Sequence, residues 1–362
     1  MKNTVKIILL LSVVIGIFTI NTMHTKENFK RIYNPDLSIK KDGWKGNVTI
    51  NDRFFNDTII ENSKMGDALK WMLSRNPQRK EKKRDTFQLQ ILPLVDFTSK
   101  ENHIIWLWHS SFIIVIDGTV LLTDPCFFNL PPSTKRKVSI PCAIDSIKPI
   151  DYLLISHDHR DHFDKKSVEA LIKNNPDMKA LIPLNGSQLF EGKKLDKIKR
   201  QEAGWYQEYN FENDVRIIFL PAKHWGRRGL NDFNKTLWGS FLIIADNIKI
   251  YFAGDSAYDE QLFKEIRQLF GNIDICILPI GAYSPPFMMQ TNHLNPEEAV
   301  QAFFDLGGRC FIPMHYGTFD LSDEPLGEPI QRLRRCVAEK GIEHQLKELA
   351  VGEKYFITVE QK

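Results

Sequence analysis

The run YLLISHDHRDHFDKKSVEAL, residues 152–171, decides how the rest of the chain is read. It leaves an apolar segment and at once places three histidines and three aspartates between His157 and Asp164, although the 362-residue chain has only ten histidines. Side chains alternate along an extended segment, so His157 and His159 point to one side of the strand's continuation. The chain must then turn into a helix capped by Asp164, which returns Asp161 and His162 to the same space. Imidazole and carboxylate groups in this H-x-H-x-D-H pattern suit a pair of neighbouring metal ions, and zinc takes such ligands at about 2.0–2.2 Å.

One loop cannot complete two metal shells, so further ligands are expected at other strand ends. His224 follows IIFLPAK, Asp255 follows IKIYFAG and His315 follows CFIPM, each a ligand-type residue just beyond an apolar run. Around them the sequence predicts mixed α/β structure. HIIWLWHSSFIIVIDGTVLLTDP reads as two strands joined at Asp117-Gly118, a hairpin signal. VRIIFLPAKH, GSFLIIAD, NIKIYFAGD, IDICILPIG and RCFIPMHYG read as further strands, with a turn at Asp246-Asn247. DKKSVEALIKNN carries Val168, Leu171 and Ile172 on one helical face. LNPEEAVQAFFDLGG carries Asn295 as N-cap, Pro296 at the first position, Glu298 three residues on and Gly307-Gly308 as a stop. Strands with interspersed helices and polar groups at strand ends imply two packed sheets with helices outside.

Apolar residues at 43% and 24 phenylalanines supply a sizeable core. A net charge of +3 is too weak to argue for a nucleic-acid partner. The five cysteines are scattered with no CxxC pair, which excludes a thiolate zinc site and a disulfide framework. At the N-terminus, Lys2 and Lys6 precede an apolar run from Ile7 to Ile20, read as a signal peptide or membrane anchor over residues 1–23. That reading places the protein outside the cytoplasm, periplasmic or at the cell surface, secreted or anchored. Residues 24–98 form a polar N-terminal extension, and within it SRNPQRKEKKRD, 74–85, is strongly basic. Such a run is a solvated linker face or a contact with anionic lipid.

The ligand pattern and order resemble the metallo-β-lactamase superfamily. WLWHSS, TDPCF, PIDYLLISHDHRDHFD, PAKHWGRRGLNDFNKTLWGSF, FAGDSAY, PIGAYSPPFMM, NHLNPEEAV and MHYGTF together resemble its branch of phospholipases D that hydrolyse N-acylphosphatidylethanolamine. The resemblance spans roughly residues 100–320. It implies an αββα sandwich, a hydrolase domain over 99–358, and two divalent metal ions, zinc by preference. His157, His159 and His224 are implied on one ion, Asp161, His162 and His315 on the other, with Asp255 bridging. It also brings His293 near the reacting centre, to bind phosphate or protonate the leaving group; capping its own helix is the other reading. Tyr283 is a candidate pocket wall or hydrogen-bond donor. His109 and Asp124 are read as partners beneath the metals that orient their ligands. Arg227 and Arg228 are open between phosphate contact and plain surface. Trp108 stands where relatives commonly have Gly, so the loop beneath the site is expected to be rearranged. MMQTNH is the chain's own version of the substrate-side segment.

A metal pair activates a shared water and neutralises charge on a phosphodiester. The expected function is therefore a metal-dependent phosphodiesterase acting on an N-acylated phosphoethanolamine lipid or a related phospholipid. Asp161 doubles as a proton relay, and a membrane surface is an expected partner. Lactone, β-lactam or other ester hydrolysis is the alternative from the same site. A di-iron redox protein is disfavoured, because relatives of that type carry Glu where His159 stands and have a flavin module. A homodimer is implied by resemblance only.

Overall fold

The computed structural model describes residues 28–55, 70–71, 73–93, 96–97, 99–131, 134–192, 194–211, 214–245 and 247–357. The N-terminal apolar run and Asp246 lie outside them.

Two seven-stranded sheets carry the fold. In the first, the order from one edge is β10 (Arg200–Ala203), β9 (Lys179–Pro183), β8 (Tyr152–Leu154), β7 (Thr119–Thr123), β6 (Ser111–Ile116), β5 (His103–Trp108) and β17 (Lys354–Phe356). In the second it is β16 (Cys310–Met314), β15 (Ile275–Pro279), β14 (Ile248–Phe252), β13 (Ser240–Ala245), β12 (Arg216–Leu220), β11 (Gln207–Glu208) and β2 (Ser38–Ile39). The N-terminal extension thus supplies an edge strand to the second sheet, and it also forms a small sheet of β1 (Phe29–Ile32), β3 (Asn47–Ile50) and β4 (Arg53–Phe55). The helices are α1 (Arg79–Arg84), α2 (Lys165–Asn174), α3 (Glu260–Phe270), α4 (Pro286–Met289), α5 (Pro296–Asp305) and α6 (Glu328–Glu339).

The core explains the near-continuous apolar strands. β5 and β6 are buried along their whole length, because both their faces are covered. Phe112 of β6 meets Phe252 of β14 at 6.3 Å in a T-shaped contact between the sheets. Both rings are fully buried, each stabilising the fold by about 1.5–3 kcal/mol through burial. α5 packs on β15 and against α3 and α6. Its start matches the sequence reading: Asn295 and Glu298 form a reciprocal capping box.

One expectation is corrected. The segment 103–123 forms three strands, not two. Asp117 and Gly118 make the expected turn, both with positive φ (47° and 70°). A second break falls at His109, whose φ of 46° ends β5 beside a register shift between Trp106 and Trp108. In the sequence only His109, Ser110 and Ser111, three polar residues between two apolar runs, mark this break. Trp108 is fully buried and donates from Nε1 to the Cys126 carbonyl at 2.9 Å. All five cysteines are free.

Candidate metal centre

The functional side chains leave the C-terminal ends of strands in both sheets and converge at one edge of the sandwich. After β8 the chain turns sharply, the amides of His162 and Phe163 both donating to the His159 carbonyl at 3.1 and 2.9 Å. Asp164 then caps α2, accepting from the amides of Lys166 and Ser167. Arg228 pins this loop from the opposite sheet, with Nη1 donating to the carbonyls of Asp158 (2.7 Å) and Phe163 (2.8 Å). Gly254 enforces the approach of the Asp255 turn: its φ is 58°, and a Cβ there would sit 2.8 Å from the Ser156 Cβ.

Two clusters result, each with ligand atoms within 4.8 Å of one another: His157, His159, His224 and Asp255, and His109, Asp161, His162 and His315. In the first, His157 Nε2 and His224 Nε2 lie 2.9 and 3.1 Å from His159 Nδ1. Those spacings approach the edge of a tetrahedron, about 3.3 Å for zinc–nitrogen bonds of 2.0–2.1 Å. Between the clusters, Asp255 Oδ2 lies 3.2 Å from both His162 Nε2 and His315 Nε2, and 3.8 and 4.0 Å from His224 and His157. Asp161 Oδ2 completes the second cluster at 3.6 Å from His162 and 3.5 Å from His315.

The outward-facing nitrogens fix the tautomers. His162 Nδ1 donates to Asp124 Oδ2 at 2.7 Å, which leaves the Nε2 lone pair pointing inward. Ser156 Oγ gives its proton to the same carboxylate at 2.6 Å and so accepts from His157 Nδ1 at 2.9 Å. His224 Nδ1 donates to the Asn292 carbonyl at 2.8 Å. Asp124 therefore sets one imidazole in each cluster, one directly and one through Ser156. His109 Nε2 donates to Asp161 Oδ2 at 3.0 Å.

This donor set fits divalent metal ions. His162 Nε2, His315 Nε2 and Asp255 Oδ1 are buried polar atoms with no hydrogen-bond partner. Leaving several such atoms orphaned is costly in a folded protein unless an ion occupies the space between them. Protonation agrees. Burial, and then neighbouring imidazoles, hold His157 and His224 well below the ordinary histidine range. Burial drives His159 down to about 4 despite the carboxylates near it. Neutral imidazoles and ionised carboxylates are what a cation needs, and both Asp161 and Asp255 are held ionised: burial opposes their charge, but the surrounding imidazoles, His162 foremost, outweigh it. His162 and His315 behave oppositely. Burial would depress them, yet the adjoining carboxylates, Asp255 first, raise His162 well above its ordinary value and His315 to about 9.

The remaining expected residues are placed as follows. His293 lies at the rim of the clusters with Nδ1 3.7 Å from Asp255 Oδ2 and no hydrogen-bond partner. Asn295, not His293, caps α5, which leaves that imidazole free for the cleft. Tyr283 is buried, and its hydroxyl donates to Glu328 Oε1 at 2.7 Å, so that proton is committed to Glu328. Arg227 donates to the Gly229 carbonyl within its own loop. No sequence signal pointed to the Asn292 carbonyl or to Glu324, whose buried carboxylate accepts from the amides of Ala282, Tyr283 and Ser284. Ser156 was findable, since it stands directly before the motif at the strand end.

Comparisons with known proteins agree with this geometry. Residues 119–316 match the β-lactamase superfamily domain family. An N-acyl-phosphatidylethanolamine-hydrolyzing phospholipase D of Caenorhabditis elegans is 30% identical over 68% of this chain and 74% of its own length. A yeast protein named as the mitochondrial N-acyl-phosphatidylethanolamine-hydrolyzing phospholipase D is 33% identical over 65% of the chain, which spans about half of that relative (52%). A solved metallo hydrolase from the archaeon Ignicoccus hospitalis shares the fold at a TM-score of 0.54, with 19% identity over 72% of this chain and 99% of that one. The expected extracytoplasmic, membrane-anchored location is corrected by these findings. No helix among the described residues is long and apolar enough to cross a membrane, and the yeast relative is named mitochondrial.

Proposed function

The chain belongs to the β-lactamase superfamily and is a metallo-hydrolase, and from that premise we propose that it is a phosphodiesterase of the phospholipase D type, acting on an N-acylated phosphoethanolamine lipid or a related phospholipid. The observation that carries the reading is the pair of clusters sharing Asp255 Oδ2, together with the activity named for the worm and yeast relatives. His157, His159 and His224 would hold one ion, Asp161, His162 and His315 the second, and Asp255 would serve both. Two divalent cations, zinc in this proposal, supply Lewis acidity toward phosphoryl oxygen and a water acidic enough to deprotonate near neutral pH.

The chain's own residues do the rest. Asp124, Ser156 and the Asn292 carbonyl hold the imidazoles in their ligating tautomers. Hydrolysis adds a water oxygen to phosphorus, breaks the P–O bond to the ethanolamine oxygen and returns a proton to that oxygen. His293 would be the imidazole that carries that proton, its Nδ1 lying 3.7 Å from Asp255 Oδ2 and without a hydrogen-bond partner. Asp161 adds a carboxylate within reach of the same space. Leu230, 88% exposed, lies on the loop that follows His224, and the partly exposed Met288 and Met289 lie on α4 before His293, so pliant apolar surface for acyl chains flanks the cleft.

The test is a parallel panel: zinc-loaded protein with N-acylphosphatidylethanolamine in mixed micelles, a chromogenic lactone and a chromogenic β-lactam. Phosphatidic acid release that disappears in His159→Ala is the expected result. Lactone or lactam turnover without diester cleavage would replace the proposal with the other ester-hydrolase reading.

A further inference from the structure

The basic run at 74–85 is not used by the hydrolytic site, yet it is bound to the site's rim. Trp71 Nε1 donates to Asp323 Oδ1 at 3.0 Å, Asn76 Nδ2 to the Asp323 carbonyl at 2.9 Å and Gln78 Nε2 to Glu328 Oε2 at 2.6 Å. Lys82 turns inward to pair with Asp320 and the Ser322 carbonyl, and Asp85 accepts from the Gly327 amide at 2.9 Å. Within the segment it grips, residues 319–322 and 324–326 line the cavity that reaches His109 and His315. Lys70 Nζ stands 4.4 Å over the Phe287 ring, linking the same strip to α4 and the substrate side of the cleft.

The outward face of this strip has a distinct chemistry. α1 buries none of its residues, and Arg75, Arg79, Lys80, Lys83 and Arg84 are all exposed. Among the described residues none of the five takes part in an ion pair, and Glu81 is the one acid of α1. Large apolar side chains stand beside them: Leu73 is 79% exposed and Phe287 43%. Cations alone would suit many polyanions. Cations interleaved with an exposed leucine and phenylalanine match a bilayer interface, where headgroup phosphates take the charge and the acyl boundary takes the apolar tips.

We propose that Leu73, Phe287 and the exposed cations of residues 75–84 form a peripheral docking surface for an anionic phospholipid bilayer, which sets the adjoining cleft down on the membrane. The use of such a surface rests on the lipid-substrate reading, but docking is measured without turnover. The full chain is mixed with vesicles of phosphatidylcholine alone and of phosphatidylcholine with phosphatidylglycerol, and co-sedimentation is followed across salt concentrations. The quantity read is the excess binding to anionic over neutral vesicles, so any charge-independent attachment by the N-terminal apolar run cancels. The wild-type excess falls as salt rises. Replacing Arg79, Lys80, Lys83 and Arg84 together by Ser lowers it on the order of a thousandfold. Leu73→Ser, read separately as total binding, weakens it to both vesicle types and does so at high salt as well, where the electrostatic share is screened.

Equal binding to both vesicle types, or an anionic excess that survives the fourfold substitution, overturns the proposal. So does binding of the strip to nucleic acid or an acidic protein in preference to anionic vesicles. Docking without lipid cleavage would leave this surface standing and remove the substrate reading, whereas cleavage without docking would do the reverse.

Discussion

Replacing Asp124 by Asn keeps the shape of the side chain and removes its ability to accept on both oxygens. In the native structure Oδ1 accepts from the Ser156 amide at 2.8 Å, while Oδ2 accepts from Ser156 Oγ at 2.6 Å and from His162 Nδ1 at 2.7 Å. Asn can be seated in two ways. With its NH2 at the Oδ1 position, it faces the Ser156 amide donor to donor. With its NH2 at the Oδ2 position, it forces His162 to accept at Nδ1, which moves the imidazole proton to Nε2 and blocks the ligating nitrogen. The first seating strains the strand end that carries His157, and the second reverses the imidazole proton at His162 and, through Ser156, at His157. Loss of such a partner behind a metal ligand costs about 10–100-fold in metal affinity, or about 1.4–2.7 kcal/mol. Competition against a chromophoric zinc chelator measures this, with circular dichroism as the control for folding. Ser156→Ala, which leaves the His162–Asp124 bond in place, should lower affinity at the His157 cluster alone. Zinc affinity within twofold of the wild type in a folded Asp124→Asn would refute the tautomer argument.

Other expectations follow from the same geometry. Phe252→Ala, deep between the sheets, should lower stability by about 3–5 kcal/mol, read as a drop in the urea midpoint of metal-loaded protein. Gly254→Ala should reduce both folding yield and metal content, because the positive φ and the Ser156 contact leave no room for a methyl; normal yield and loading would contradict it. Zinc uptake should release protons and weaken as pH falls. The raised value of His315, about 9, means it carries a proton in metal-free protein below that pH, and the ion must displace it. Calorimetry in buffers of different ionisation enthalpy counts those protons, and none released at pH 7 would contradict the assignment.

Much of the site was legible because metal ligands are rare residue types gathered at strand ends. H-x-H-x-D-H, His224, Asp255 and His315 stand out against apolar strands, and the structure brings all seven side chains together. Helix starts were legible for a similar reason: Asp164 and Asn295 are local capping signals, satisfied within three residues. The break at His109 was not, since the polar residues that mark it, His109, Ser110 and Ser111, are as buried as the apolar residues on both sides and read as part of one strand. Arg228 illustrates the other limit. Its partners are backbone carbonyls of a loop some seventy positions away, and a carbonyl has no letter in a sequence. The edge strand β2 was hidden too, because two exposed residues carry no periodicity and only the neighbouring β11 makes them a strand.

The most direct test of the account is the number of ions per chain. After zinc reconstitution and removal of loose metal, plasma mass spectrometry should find two ions in the wild type, about one in His159→Ala, and fewer than one in Asp255→Asn, where both clusters lose their shared oxygen. A wild type that holds a single ion, or an Asp255→Asn variant that still holds two, would contradict the dinuclear centre.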